Sequence, residues 1–357
     1  MPVFRSASAA VNSAPAADLG RRRFLALGGA VAATGLLAAC GGSDDRKSPA
    51  GEGGRAAASR GPWSFTDDRG EKIDLPARPE RIVAQSHPAA ALWDFGIEPV
   101  GVFGPQKGAD GEPSPQIGNV DPAAVTSVGT NFGEFQMEKL IALQPDLIVT
   151  IAYGPMIWYI PEEVIKKIEK IAPIAVIQLM GVSVPDAVKR FGELAEALGA
   201  DPASPAITRA KSEFEAAADA VKKAVAARPG LSVAVVSGTK ENLFVADPGF
   251  HGDVKYFEQL GLEIVKPAKP EAGFESLSWE EAGRYKADLI LEDARPEGGL
   301  TSAQLGAAYP TWKGNPAVRA DQVVDWQTET PFTYQRFTKV LNDLATAVTK
   351  ADAGVVK

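Results

Sequence analysis

The chain has almost no cysteine and almost no histidine: Cys40 stands alone, and His87 and His251 are its only imidazoles. One thiol excludes a disulfide framework and a cysteine-based zinc site, and two histidines exclude a histidine-rich metal cage. Basic charge is also in short supply. Lys and Arg number 37 against 45 Asp and Glu, for a net charge of −8 and a pI near 5.1. Phosphate neutralisation needs a basic face, so nucleic acid is not an expected partner. Catalytic signatures are missing too: there is no G-x-S-x-G elbow, H-E-x-x-H helix or spaced metal triad, and no enzyme is expected. The apolar run from Phe24 to Ala39 is 16 residues long, short of the roughly 20 needed to cross a bilayer.

That run is better read as an address. Arg21-Arg22-Arg23-Phe24-Leu25 precedes it and resembles a twin-arginine export signal, and Leu37-Ala38-Ala39-Cys40 closes it in the manner of a bacterial lipobox. Residues 1–39 are therefore read as a signal peptide and Cys40 as the lipidated residue. Residues 40–60, rich in Gly, Ser, Ala and charge without periodicity, read as a flexible tether. The expected location is the extracytoplasmic face of the cell membrane, held by lipid.

The remainder, from about residue 61, divides around a helical block. Ala187, Val188, Phe191, Leu194, Ala195 and Leu198 recur at helical spacing, which predicts a helix over 185–198, stopped by Gly199 and Pro202. A second helix is expected over 206–227. On either side, short apolar strands alternate with helical stretches, predicting mostly parallel sheets. The two sides resemble each other. Met137-Glu138-Lys139-Leu140 leads to Asp146-Leu147-Ile148 at the interval by which Trp279-Glu280-Glu281-Ala282 leads to Asp288-Leu289-Ile290, and Phe95-Gly96-Ile97-Glu98 parallels Leu260-Gly261-Leu262-Glu263. The fold class is thus α/β: two similar lobes, 61–183 and 229–357, joined by the helices of 184–228. Within this scheme Trp279–Tyr285 is expected to be a helix. A ligand is expected between the lobes, where the carboxyl ends of parallel strands converge.

Leu75-Pro76-Ala77-Arg78-Pro79-Glu80-Arg81-Ile82-Val83, Val128-Gly129-Thr130, the run Met137 to Ile148, and Trp312-Lys313-Gly314-Asn315-Pro316-Ala317-Val318 together resemble the iron-siderophore substrate-binding lipoproteins of ABC importers. That group also takes cobalamin and haem. The likeness covers roughly residues 63 to 350. It implies two lobes on a long rigid helix with little hinge closure, a ferric siderophore as ligand, no cofactor, and an ABC permease with its ATPase as partners. It also implies that Glu138 and Glu280 dock on permease arginines; a solvated helix carboxylate is the plainer reading of each.

Ligand contacts are sought in the loops after the strands: Gln85-Ser86-His87, Thr130-Asn131-Phe132, Tyr153–Tyr159, Phe250-His251, Arg295 and Trp326–Phe332. Tyr153, Trp158 and Tyr159 offer flat faces to the organic shell of a chelated metal. Arg295 either hydrogen-bonds the oxygens around ferric iron or pairs with Glu292 or Asp293. His87 and His251 follow comparable first strands of the two lobes. They either ligate a metal or haem across the cleft, or make ordinary hydrogen bonds. Trp326 is open between contact and packing, while Trp279 and Trp312 are assigned to packing. A lightly charged aromatic cleft favours a hydroxamate complex over a triply anionic catecholate. Haem, cobalamin and a surface sensor module are the competing functions.

Overall fold

The computed structural model describes residues 61–108, 111–295 and 299–356; the expected signal peptide, Cys40 and the expected tether lie outside them. The chain opens on an antiparallel ribbon, β1 (Trp63–Thr66) and β2 (Lys72–Leu75). The buried Asp67 at its turn accepts from the backbone N–H groups of Arg69, Glu71 and Val176, which fastens the ribbon to the first lobe. Then follow β3 (Ile82–Gln85), α1 (Ser86–Asp94), β4 (Gly101–Phe103), a 3-10 turn (Pro115–Ile117), β5 (Thr126–Ser127), α2 (Met137–Leu143), β6 (Leu147–Tyr153), β7 (Met156–Ile157), α3 (Glu162–Ile168) and β8 (Ile174–Gln178). Leu147 to Ala152 is buried without alternation, as expected of a central strand covered on both faces. Strands β5, β4, β3, β6 and β8 lie side by side in parallel, and only β7 runs against β6.

Two helices follow, α4 (Val184–Ala197) and α5 (Pro205–Ala226). Each carries proline in its first turn, where the missing N–H costs no helical bond, and Ser204 Oγ caps α5 at the Ile207 N–H. Gly199, at φ +97°, ends the first.

The second lobe comprises β9 (Ser232–Gly238), β10 (Asn242–Ala246), α6 (Gly252–Gln259), β11 (Glu263–Ile264), β12 (Phe274–Ser278), β13 (Leu289–Asp293), α7 (Ser302–Ala308), α8 (Pro310–Lys313), α9 (Pro316–Arg319), β14 (Val323–Trp326) and α10 (Tyr334–Lys350). Its parallel strands β11-β9-β13-β14 repeat the order β4-β3-β6-β8 of the first lobe. The paired glycines also correspond: Gly96 and Gly261 stand just past α1 and α6 at φ +84° and +101°. The second sheet differs by an antiparallel edge, β10 and β12, which the sequence reading passed over.

One expectation fails. Trp279–Tyr285 is a series of turns, not a helix. The Trp279 ring is buried, stacked on Tyr309 at 4.0 Å, and its indole N–H donates to Thr239 O at 3.1 Å. Gly283 and the pairing of Arg284 with Glu275 and Glu281 hold the remainder in its turns. These contacts outweigh the modest helix propensity of so short a stretch.

A single apolar core runs from one lobe into the other. Ala84 and Leu147 of the first sheet, Val188, Phe191 and Leu194 of α4, and Val233, Phe257 and Phe337 of the second lobe belong to it. The buried face of α4 is thus shared by both lobes, because its apolar residues recur at 3–4 residue spacing and leave no polar interruption.

Candidate functional site: an aromatic row across the lobes

The carboxyl ends of β6 and β8 meet the loop that precedes α6. There Gly181 donates to Phe250 O at 2.8 Å and Lys255 Nζ to Gly181 O at 2.6 Å. The seam is closely fitted: a Cβ on Gly252 would lie 2.0 Å from Val182 O.

Along this seam runs a continuous row of rings. Phe132, in the loop before α2, sets its edge against Trp158 at 5.6 Å and Tyr159 at 5.5 Å. Trp158 packs on Tyr153 at 5.2 Å. Tyr153 then stacks across the lobes on Phe250, at 5.7 Å and nearly parallel at 7°. From Phe250 the row continues through His251 to Phe274 and Trp326. The structure brings Phe132, Tyr153, Trp158 and Tyr159, four of the residues sought as ligand contacts, together on one wall. Phe132 is 60% exposed, the opposite of what a core phenylalanine would show.

Local structure fixes this wall. β6 and β7 form a hairpin whose tip glycine, Gly154, adopts φ +61°. Gln178, at the end of β8, accepts from the Gly154 N–H and donates to the Gly154 carbonyl, both at 3.0 Å. Thr150 Oγ1 holds the Trp158 carbonyl at 2.9 Å. Gln178 escaped notice in the sequence; its signal was a polar residue closing an otherwise apolar strand.

On the opposite wall, Arg295 follows β13 and pairs bidentately with Asp293, at 2.9 and 2.5 Å. Of the two readings open for it, the geometry displays the ion pair. Behind it, burial pushes the Glu292 carboxyl up to about 7; Oε2 accepts from the Ser302 N–H at 2.7 Å, and Oε1 has no hydrogen-bond partner among the described residues. Asp253 is buried, and burial raises its pKa as well.

For two residues whose roles the sequence left open, Trp326 and His87, the structure displays the inward one. Trp326 is 2% exposed and donates its indole N–H to Asp253 Oδ2 at 2.6 Å, so its ring supports the row from behind. His87 is at the start of α1, not in a loop, packed against Phe191 and Phe332, with Nε2 accepting the Phe332 N–H at 2.9 Å. Gln85 and Ser86 are buried with it. Burial lowers the His87 pKa to about 3. His251 is the ring of the pair that reaches the row, with Nε2 against Gly273 O at 3.0 Å. Burial lowers its pKa too, and keeps it neutral.

A neutral buried imidazole has a consequence for pH. The folded His87 resists protonation that the unfolded chain accepts near 6.5, so stability is complete above that pH and falls as acid approaches 3. Between pH 6.5 and 5, urea unfolding is expected to lose up to about 1.4 kcal/mol per pH unit from this group. His87→Gln, whose amide oxygen can still accept from Phe332, is expected to flatten that slope; an unchanged slope would refute the assignment.

Glu138, in the first turn of α2, and Glu280, just past β12, are both exposed. A recess of about 320 Å³ lies elsewhere, behind the second sheet between β14 and α10, lined by Phe257, Leu291, Val324 and Leu344 among others.

Two α/β lobes welded through one helix, with aromatic side chains lining their seam, define a solute-binding protein of the two-lobed type. The chain belongs to the periplasmic binding protein family, whose profile it matches over residues 96–330. It is 27% identical over 296 residues to the iron(3+)-hydroxamate-binding protein FhuD of Bacillus subtilis, covering 80% of this chain and 84% of that one. Among solved structures it resembles DesE, a ferric-siderophore receptor protein from Streptomyces coelicolor, with 36% identity and a TM-score of 0.75 over 82% of this chain and 99% of that one. It is also similar to the siderophore periplasmic binding protein from the fuscachelin gene cluster of Thermobifida fusca, at 25% identity and a TM-score of 0.56, covering 77% and 98% of the two chains. No helix among the described residues is long and apolar enough to cross a membrane.

Proposed function

We propose that this protein captures a ferric siderophore, of the hydroxamate class, against the inter-lobe aromatic row and delivers it to an ABC permease for iron uptake. The observation that carries the reading is the row itself, ring against ring from Phe132 to Phe274 across both lobes. Flat apolar faces suit the organic shell of a chelated iron and leave the metal's own ligands undisturbed. Phe132, Tyr153, Trp158 and Tyr159 supply one wall, and Phe250 and Arg295 the other. The name of the Bacillus relative supports a ferric hydroxamate, and that of the Streptomyces relative a ferric siderophore.

Lipid on Cys40 would hold the protein at the extracytoplasmic face, and the exposed Glu138 and Glu280, one per lobe, would steer it onto permease arginines. The protein does no chemistry on its cargo. Haem fits less well, because His87 is occupied within the core and the His251 ring is held at Gly273.

Tryptophan fluorescence of the full-length protein, titrated with a ferric hydroxamate, a ferric catecholate and haem, tests the reading. Saturable quenching by the ferric hydroxamate and not by its iron-free form is expected. Saturation by haem alone, or by nothing, would overturn it.

A further inference from the structure

Four large apolar side chains stand exposed among the described residues, and two of them are methionines, Met156 at 51% and Met180 at 41%. Both lie at the hairpin tip that presents Tyr153 and Trp158. Met156 opens β7 and is the register partner of Tyr153. Met180 stands two residues past β8, immediately before the Gly181 whose N–H reaches Phe250 O across the lobes. Its thioether covers the tip: a Cβ placed on Gly154 would meet Met180 Cε at 3.3 Å and Sδ at 3.4 Å. One carboxamide holds both residues. Gln178 Oε1 accepts from the Gly154 and Met180 N–H groups, and its Nε2 donates to Gly154 O, all at 3.0 Å. Met137, at the start of α2, is different, being half-buried and packed against the core of the first lobe. A leucine could cover the tip with as much apolar surface. What sulfur adds at an exposed position is reactivity.

We infer that Met180 is a site of reversible sulfoxidation by hydrogen peroxide, and that its oxidation lowers affinity for the ferric cargo. The inference rests on the siderophore reading and adds a chemical control of the same site. In the step itself a sulfur lone pair attacks one oxygen of the peroxide. The S–O bond forms as the O–O bond breaks, and the departing hydroxide takes the proton left on the transferred oxygen and leaves as water. Sulfur gives up two electrons and the peroxide gains them. The product carries a strong acceptor oxygen on a chain that was apolar. At Met180 that oxygen arrives at the Gly154 tip, where it competes with Gln178 for the Gly154 N–H and makes polar the surface that covered the turn. Tyr153 directly precedes Gly154, and its stack on Phe250 depends on where the tip is held. A loosened clamp costs the row its fixed spacing, so the share of affinity owed to pre-organisation is lost. Met156 is as open to peroxide but makes no part of the clamp, so its sulfoxide leaves the tip in place.

The test treats the full-length protein with a graded series of hydrogen peroxide concentrations. Peptide mass spectrometry follows the sulfoxides, and calorimetry measures binding of a ferric tris-hydroxamate before and after. Met156 and Met180 are expected to oxidise ahead of Met137, and the dissociation constant to rise about tenfold once Met180 is converted. Methionine sulfoxide reductases for both sulfoxide epimers, supplied with a thiol reductant, are expected to restore the starting affinity, which separates the effect from permanent damage to the rings. Met180→Leu keeps an apolar cover of similar volume on the tip. Peroxide is expected to leave that variant's own dissociation constant unchanged, whatever its starting level, while Met156→Leu retains the full response. Conversion of Met180 without loss of affinity, an equal loss in Met180→Leu, or a loss that the reductases fail to reverse would overturn the inference and leave the siderophore reading intact. If the untreated protein does not bind the ferric complex, that reading falls, and this inference with it.

Discussion

Replacing Trp158 by alanine is expected to raise the dissociation constant for a ferric hydroxamate by about thirtyfold, equivalent to about 2 kcal/mol. Trp158 is the hub of the exposed wall: it touches Phe132, Tyr153 and Tyr159 at ring separations between 5.2 and 5.8 Å. Its removal deletes the largest flat face and takes one edge-to-face contact from each of three neighbours. The backbone is not at risk, because the Trp158 N–H bonds to Ile151 O at 2.9 Å and Gln178 clamps the hairpin tip from the other side. The loss should therefore fall on binding and not on folding. Isothermal titration calorimetry is the proper readout, since the variant lacks one of the fluorescent reporters. Trp158→Phe should recover most of the affinity; a change of less than threefold in the alanine variant would remove this ring from the site.

The largest effect on the scaffold is expected at Gly252. An alanine methyl there would sit 2.0 Å from the Val182 carbonyl oxygen and 3.1 Å from the Phe332 ring. Neither backbone can retreat freely, because Gly181, one residue earlier, is hydrogen-bonded across the seam to Phe250. Gly252→Ala should lower the unfolding free energy by about 3 kcal/mol and loosen the Tyr153–Phe250 stack, weakening ligand binding along with it. Gly283→Ala is the control: a methyl at that position meets open space, and its effect should stay within about 0.5 kcal/mol. Equal urea midpoints for the two variants would show that the seam yields more easily than its geometry implies.

Much of the fold could be read before any coordinates. The connecting helix begins and ends within a residue of its expected bounds, because an uninterrupted apolar stripe flanked by Pro185 and Gly199 leaves few alternatives. The lobe repeat was legible for the same kind of reason: a glycine in the left-handed region after each first helix is a requirement of backbone geometry. The failures were those of tertiary context. Trp279–Tyr285 shares its spacing with α2, but the Trp279 ring finds Tyr309 thirty residues on, a contact no local pattern reveals. The antiparallel pair β10 and β12 is separated by α6 and β11, so no hairpin signal joined them.

At the site, the aromatic loop was legible because Tyr153, Trp158 and Tyr159 stand together beside Gly154 and Pro155, where a core role is uncommon. The burial of His87 and Trp326 was not. Each stands at a strand end, Trp326 as the last residue of β14 and His87 two residues past β3, and only the packing of Phe332 and the carboxylate of Asp253 decide that they face inward. Phe250 as the partner of Tyr153 depends on how the two lobes are set against each other, which lies beyond any one-dimensional pattern.

The continuity of the apolar core through α4 bears on how such proteins can be recombined. Phe191 touches His87 of the first lobe, while Val188 and Leu194 belong to the same core as Phe257 and Phe337 of the second. A lobe excised at the connector would leave either the helix stripped of half its cover or the opposite sheet bare, and neither fragment would bury enough apolar surface to stand alone. Grafting one lobe onto a cousin's counterpart meets the same obstacle. Diversification of ligand range in this chain is thus confined to the loops that ring the seam, such as those carrying Phe132, Trp158 and Phe250, while the two-lobed body is inherited as one piece.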